Sequence, residues 1–210
     1  MKLTSIFKAL SAFAFCIIFM GASDQKGIFD GSGDIGNPKL KGSFNYDVAT
    51  KTYTLSGGGF NIWNDTDQFY YAWKKVSGNF SMTTKVAFEG KGVDPHRKIG
   101  IMIRETLTGP SRYADIGIHG DGLTSLQYRP ENGEQTKEIV GPKNGNYITL
   151  ERVGNKISMR TATDKVPTDV TAELEMVFPK SVYVGIYIGS HNLDVVETAH
   201  FTNVEFTKLK

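Results

Sequence analysis

The sequence predicts an all-β protein, a sandwich of antiparallel strands, and three observations carry this. After the first two dozen residues no window repeats apolar positions at three and four, the spacing with which a helix buries one face. Short runs of alternating apolar and polar residues recur instead, the period that puts one side-chain set on each face of a sheet. Turn-formers break these runs at intervals of roughly 8–12 residues. Among them are Gly57-Gly58-Gly59, Ser77-Gly78-Asn79, Gly90-Lys91-Gly92, Thr108-Gly109-Pro110, Gly120-Asp121-Gly122 and Glu131-Asn132-Gly133.

Taken in order, the chain opens as a secretory leader over residues 1–23. Lys2 and Lys8 are basic, Ala9 to Met20 is apolar apart from Ser11, and Gly21-Ala22-Ser23 supplies small residues before Asp24. The apolar stretch is shorter than the about 20 residues a membrane-spanning helix needs, so no membrane insertion is expected once it is cleaved. Phe15 before Cys16 argues against lipidation, which needs a small residue there. A secreted or periplasmic location follows. The mature chain loses Cys16, the only cysteine, along with Lys2 and Lys8, so its 22 Lys and Arg balance its 22 Asp and Glu. No basic run appears, which leaves nucleic acid without support as a partner.

Residues 24–36 read as a lead-in and 37–210 as one domain. Alternation places strands at 43–47, 52–56, 60–63, 67–75 and 79–88, then at 98–105, 113–119 and 123–129. Further strands follow at 135–140, 147–153, 156–162, 171–177, 181–188 and 197–207. The stretch from Lys98 to Arg129 is the most telling. Ile99, Ile101 and Ile103 point one way, as do Ala114, Ile116 and Ile118 in the next run and Leu126 in the third. If the three strands are neighbours, Arg104, Asp115, His119, Gln127 and Arg129 crowd onto the opposite face.

The ordered motifs resemble a known family. Asp34-Ile35-Gly36-Asn37-Pro38 and Gly42-Ser43 are followed by Tyr53-Thr54-Leu55-Ser56-Gly57-Gly58-Gly59 and Ile62-Trp63. The series continues through Lys98–Thr106 and Leu126-Gln127-Tyr128-Arg129, then Val182-Tyr183-Val184-Gly185, Ser190-His191-Asn192 and 199–204. Together they resemble the concanavalin-A-like modules of secreted bacterial polysaccharide-active proteins, related to the C-terminal module of β-xylosidases. Gly92–Lys98 and Val195-Val196-Glu197 are most similar to the variant attached to TolB-like propeller proteins. The resemblance implies a jelly-roll sandwich of two antiparallel sheets, one of them concave. Thr163-Asp164-Lys165 departs from the wider group, which commonly carries a Trp after a short Asp-Gly turn near there.

Sugar hydroxyls both donate and accept, and pyranose C–H faces pack on aromatic planes. Arg104, Asp115, His119, Gln127 and Arg129 supply the polar mixture, and Trp63, Tyr70 and Tyr113 the platforms. His191 offers a second polar cluster at the end of the same sheet. The competing reading pairs Arg104 with Asp115 or Glu105 beneath a covering loop. His96 or Arg97 either reaches over the face or sits in a solvated connector, and Asp121 reads as turn chemistry.

The four histidines show no paired spacing, so zinc is weakly supported. Asp30, Asp34 and Asn37 are the candidates for a structural calcium, against Asx turns. Glu173 and Glu175 begin the E-x-D-x-E pattern of laminarinase-type hydrolases, but Val177 stands where its last acid belongs. The expected function is a secreted, non-catalytic module binding a glycan or other polyhydroxylated ligand on its concave face. Two alternatives stay open: a polysaccharide hydrolase or lyase using that face, and a structural or protein-interaction module of an envelope complex.

Overall fold

The computed structural model describes residues 26–64 and 66–210. The expected leader, with its cleavage site and Cys16, lies outside the described residues. In chain order the strands are β1 Gly31–Ile35, β2 Ser43–Asp47, β3 Thr52–Gly59, β4 Phe69–Ser77, β5 Phe80–Phe88, β6 Lys98–Arg104 and β7 Tyr113–His119. They continue with β8 Thr124–Arg129, β9 Lys137–Val140, β10 Tyr147–Val153, β11 Lys156–Ala162, β12 Val170–Glu175, β13 Ser181–Gly189 and β14 Asn192–Lys208.

Two seven-stranded sheets result, ordered β1-β4-β13-β6-β7-β8-β9 and β12-β11-β10-β5-β14-β3-β2, and every pairing is antiparallel. One continuous core lies between them. The first sheet contributes Ile99, Ile101, Ile103, Ala114, Ile116, Leu126, Val184 and Ile186. Leu55, Met82, Ile148, Leu150, Met159 and Phe201 come from the second. These are the side-chain sets that alternation assigns to one face, and stacked sheets bury them where a lone sheet cannot.

Two elements differ from the sequence reading. The lead-in supplies β1, which pairs with β4 from Gly31↔Trp73 to Ile35↔Phe69. Its Gly-Ser-Gly run carries no apolar alternation because it lies under an indole: a Cβ on Gly31 would sit 2.8 Å from Trp73 Cζ2. Residues 60–63 form no strand, only an isolated bridge between Ile62 and Asp67. They begin a loop that folds onto the outer face of the first sheet.

That outer face is itself partly covered. Ile35, Ile62, Phe69, Tyr71, Met102, Tyr113 and Tyr187 form a second, smaller apolar cluster there. Strands β6 and β7 are therefore buried on both faces, whereas alternation alone suggested one exposed side. With one shared core, circular dichroism of residues 24–210 should be strand-dominated and thermal unfolding should show one transition. Two separated transitions would contradict a single cooperative unit.

Candidate functional site

The strand register lays the outer face out in rows. Tyr183, Arg104, Tyr113 and Arg129 form one row, Met102, Asp115, Gln127 and Glu138 the next, and Tyr187, Gly100, Gly117 and Ser125 a third. Lys98 and His119 pair in a fourth, nearest the end of the sheet. The 60–68 loop divides these rows into a sealed half and an open half.

In the sealed half, Asp67 is buried between two arginines. Its carboxylate accepts from Arg129 Nη1 and Nη2 at 2.9 and 2.8 Å and from Arg104 Nη2 at 3.2 Å. Arg104 also donates to the Thr106 and Thr108 carbonyls, and Arg129 to those of Asn64, Ser111 and Glu134. The Tyr113 hydroxyl donates to Ile62 O at 3.0 Å. Arg104, Arg129 and Tyr113 are each 0% exposed, so these three residues expected to face ligand instead clamp the loop to the sheet. The covering-loop alternative describes Arg104 correctly but with a different partner: Asp67, neither Asp115 nor Glu105. Tyr70, a third expected platform, packs in the inter-sheet core, with its hydroxyl 3.2 Å from Ser32 Oγ.

The open half is a cleft of about 250 Å³ lined by Asn61, Trp63, His96, Lys98, His119, Leu123, Gln127, Glu138 and His191. Four residues expected at the site, Trp63, His119, Gln127 and His191, meet here. Asn61, Lys98 and Glu138 were missed. Lys98 falls on the polar side of β6 by alternation, a signal available in the sequence. Asn61 and Glu138 had no such signal, since a loop and a strand partner bring them in.

The polar groups interlock. Lys98 Nζ donates to Asn61 Oδ1 at 2.9 Å and to Gln127 Oε1 at 3.4 Å, and Gln127 Nε2 donates to Glu138 Oε1 at 3.0 Å. His119 Nε2 lies 3.3 Å from Gln127 Nε2, and the ammonium sits 5.7 Å from the centre of a Trp63 ring. Three of the chain's four histidines close the mouth. His96 stands 5.8 Å from His119 and 5.4 Å from His191, centroid to centroid. Asp94 lies beside two of them, accepting from the His96 backbone N–H at 2.7 Å and standing 3.3 Å from His191 Nδ1. His191 is held in the left-handed region at φ 56°, a conformation that costs about 1–3 kcal/mol and clusters at functional sites.

Beneath the cleft floor, Asp115 is fully buried and neither carboxylate oxygen has a hydrogen bond of full geometry. Burial raises its pKa to about 7, opposed by the Lys98 charge and the Tyr187 hydroxyl. Burial also depresses Lys98, and it lowers His119 to about 4, with the Lys98 charge acting in the same direction. His119 is therefore neutral at pH 7, one ring nitrogen donating and the other accepting. Gly117 leaves room for these groups to converge. A Cβ there would meet Tyr187 OH at 3.2 Å, Asp115 Oδ1 at 3.6 Å and His119 Nε2 at 3.7 Å.

These two shifts oppose each other in stability. Folded Asp115 holds its proton above the unfolded value of 3.8, so its contribution falls as pH rises from about 4 to about 7. Folded His119 binds its proton less readily than the unfolded value of 6.5, so its contribution rises from about pH 4 to 6.5. Stability measured by urea unfolding should rise across pH 4–6.5 in Asp115→Asn, where His119 acts alone. It should fall from pH 4 to 7 in His119→Gln. Parallel profiles in both variants would contradict the assignment.

The remaining sequence candidates lie elsewhere. Asp30 accepts from the Lys75 backbone N–H and Asp34 from that of Gly42, with Lys74 and Lys41 beside them. The calcium expected at Asp30, Asp34 and Asn37 thus finds those carboxylates already engaged. Among the described residues no group of three or more His, Cys, Asp or Glu is arranged to hold a metal ion. Arg97 is buried on Glu197 at 2.6 Å, and Asp121 caps its turn through the Leu123 N–H. Glu173 and Glu175 lie on β12, at the edge of the other sheet, with Glu173 paired to Lys156 at 3.5 Å.

Neither a protein-family model nor a curated relative matches the chain. Solved structures do. A functionally unknown protein from Saccharomyces cerevisiae aligns with a TM-score of 0.64 at 15% identity, over 85% of this chain and 97% of that one. The GH43 protein BlXynB from Bacillus licheniformis gives 0.58 at 11% identity, and the match covers 85% of this chain and 39% of that protein. The carbohydrate binding module CBM66 from Bacillus subtilis gives 0.50 at 14% identity, over 86% and 97%. The chain has the concanavalin-A-like jelly-roll fold. At these identities the likeness concerns the fold and leaves the function to the site.

Proposed function

We propose that this chain is a glycan-binding module acting outside the cytoplasm, and that its ligand enters the cleft between Trp63 and the hydrogen-bonded Lys98, Gln127 and Glu138. The observation that carries this reading is the composition of that cleft. One indole wall stands beside an ammonium, two amides, a carboxylate and a neutral imidazole, all joined by hydrogen bonds. Such a set offers donors and acceptors at fixed spacing to neighbouring hydroxyls, while the indole accepts a C–H face. Among the similar folds, one is described as a carbohydrate binding module, which supports the reading.

The hydrolase or lyase alternative has one feature in its favour, the raised pKa of Asp115 beneath the cleft. Geometry weighs against it. A glycosidase of the usual kind needs two carboxyl groups flanking the bond. Here Glu138 lines the cleft and Asp115 is shut below it.

Trp63 gives a direct readout, because the chain has two tryptophans and the second, Trp73, packs against Gly31. In a Trp73→Phe variant, titration with soluble glycans should change the emission of Trp63 saturably. Reducing-sugar and unsaturated-product assays on the same glycans should stay at background. Turnover abolished by Asp115→Asn would establish the enzyme reading instead.

A further inference from the structure

We infer that the cleft is one of two adjoining sugar subsites, and that the ligand is therefore a disaccharide or longer glycan whose second unit lies on Phe60. This deepens the proposed glycan reading and rests on it. On the far side of Asn61 lies a second hollow of about 260 Å³, lined by Phe60, Asn61, Asn64, Thr66, Gln68 and Leu193. Asn61 belongs to both. A third, small hollow shares Asn61, His96, Lys98 and His191 with the first and Asn61 and Gln68 with the second.

The second hollow has the chemistry of a sugar platform. Phe60 is 53% exposed and Leu193 46%, two large apolar side chains left open to solvent on one concavity. Phe60 is also held in a fixed attitude. Its ring stacks on His191 at 5.8 Å and 23°, and its backbone N–H donates to Gln68 Oε1 at 3.1 Å. An aromatic ring stacked on a residue of the first cleft and still about half exposed is placed to accept a C–H face. Around it, among the described residues, stand amide and hydroxyl groups.

Volume agrees. Either hollow alone is smaller than the roughly 300–1,000 Å³ of sites that enclose a drug-sized ligand, and the two together fall within it. Sequence reading passed over Phe60 because it assigned residues 60–63 to a strand. His191, which supports the ring, arrives from the β13–β14 turn.

The test is a chain-length series. Glucose, xylose, mannose, galactose, fructose and glucuronic acid, each with its homo-oligomers of two to four units, are titrated against wild type, Phe60→Ala, Leu193→Ala and the distant control Lys208→Ala. On the series that binds, the two-unit glycan should bind at least roughly tenfold tighter than the single sugar in wild type and Lys208→Ala. In Phe60→Ala that ratio should collapse to about twofold, with Leu193→Ala intermediate. Equal affinity for one and two units, or a ratio unchanged in Phe60→Ala, would overturn the second subsite while leaving the first cleft standing. No binding in any series, by wild type as by variants, would overturn the glycan reading and the subsite with it.

Discussion

Asp67→Ala should be the most destabilising single change at this face, lowering the melting temperature by about 6–20 °C. The substitution removes the one carboxylate held between Arg104 and Arg129, all three side chains being 0% exposed. A buried pair contributes little net stability against an apolar replacement, but removing one partner strands the other charge and costs about 3–5 kcal/mol. For a domain of this size each kcal/mol moves the midpoint by about 2–4 °C. Asp67→Asn keeps the volume and some acceptors and should fall between wild type and Ala. Because Asn61 and Trp63 ride on the same loop, the cleft should loosen too. A melting shift under about 2 °C in Asp67→Ala would show that the ion cluster does not hold the loop.

Lys98→Met should have the largest effect on binding, a loss of about ten- to over a hundredfold. A hydrogen bond to a charged group is worth about 1.5–3 kcal/mol, and Lys98 is the one lysine or arginine among the residues lining the cleft. Methionine preserves most of the stem volume, so packing changes little. Asn61 Oδ1 and Gln127 Oε1 lose their shared donor, and Asp115 loses the cation that opposes its burial. The carboxyl of Asp115 should then hold its proton to higher pH, so its contribution should keep falling above pH 7, where in wild type it levels off. Unaltered affinity in Lys98→Met would remove Lys98 from the ligand contacts.

How much of this was legible in the sequence depends on which physical constraint acts. Alternation in 98–129 tells which side chains share a face, and the Ile rows lie in the inter-sheet core as that period requires. Period 2 does not tell whether the opposite face is open. Whether Arg104 meets ligand or loop depends on Asp67, 37 positions away, and on residues 60–68 leaving the sheet instead of adding a strand to it. The histidines show the same limit. His96, His119 and His191 are distant in sequence, and they meet because the first sheet places β13 beside β6 and β6 beside β7, a crossover order no local pattern encodes. The missed β1 has a different cause. Two glycines packed against Trp73 leave nothing to alternate.

The central claim is that the Trp63–Lys98 cleft, and not the sealed arginine half, receives a glycan. A glycan array probed in parallel with wild type, Trp63→Ala and Lys98→Met tests it most directly, with the melting temperature of each protein recorded. Wild type should bind at least one glycan class, and both variants should lose that signal while their melting temperatures show them folded. An array blank for wild type, or variants that bind as wild type does, would contradict it.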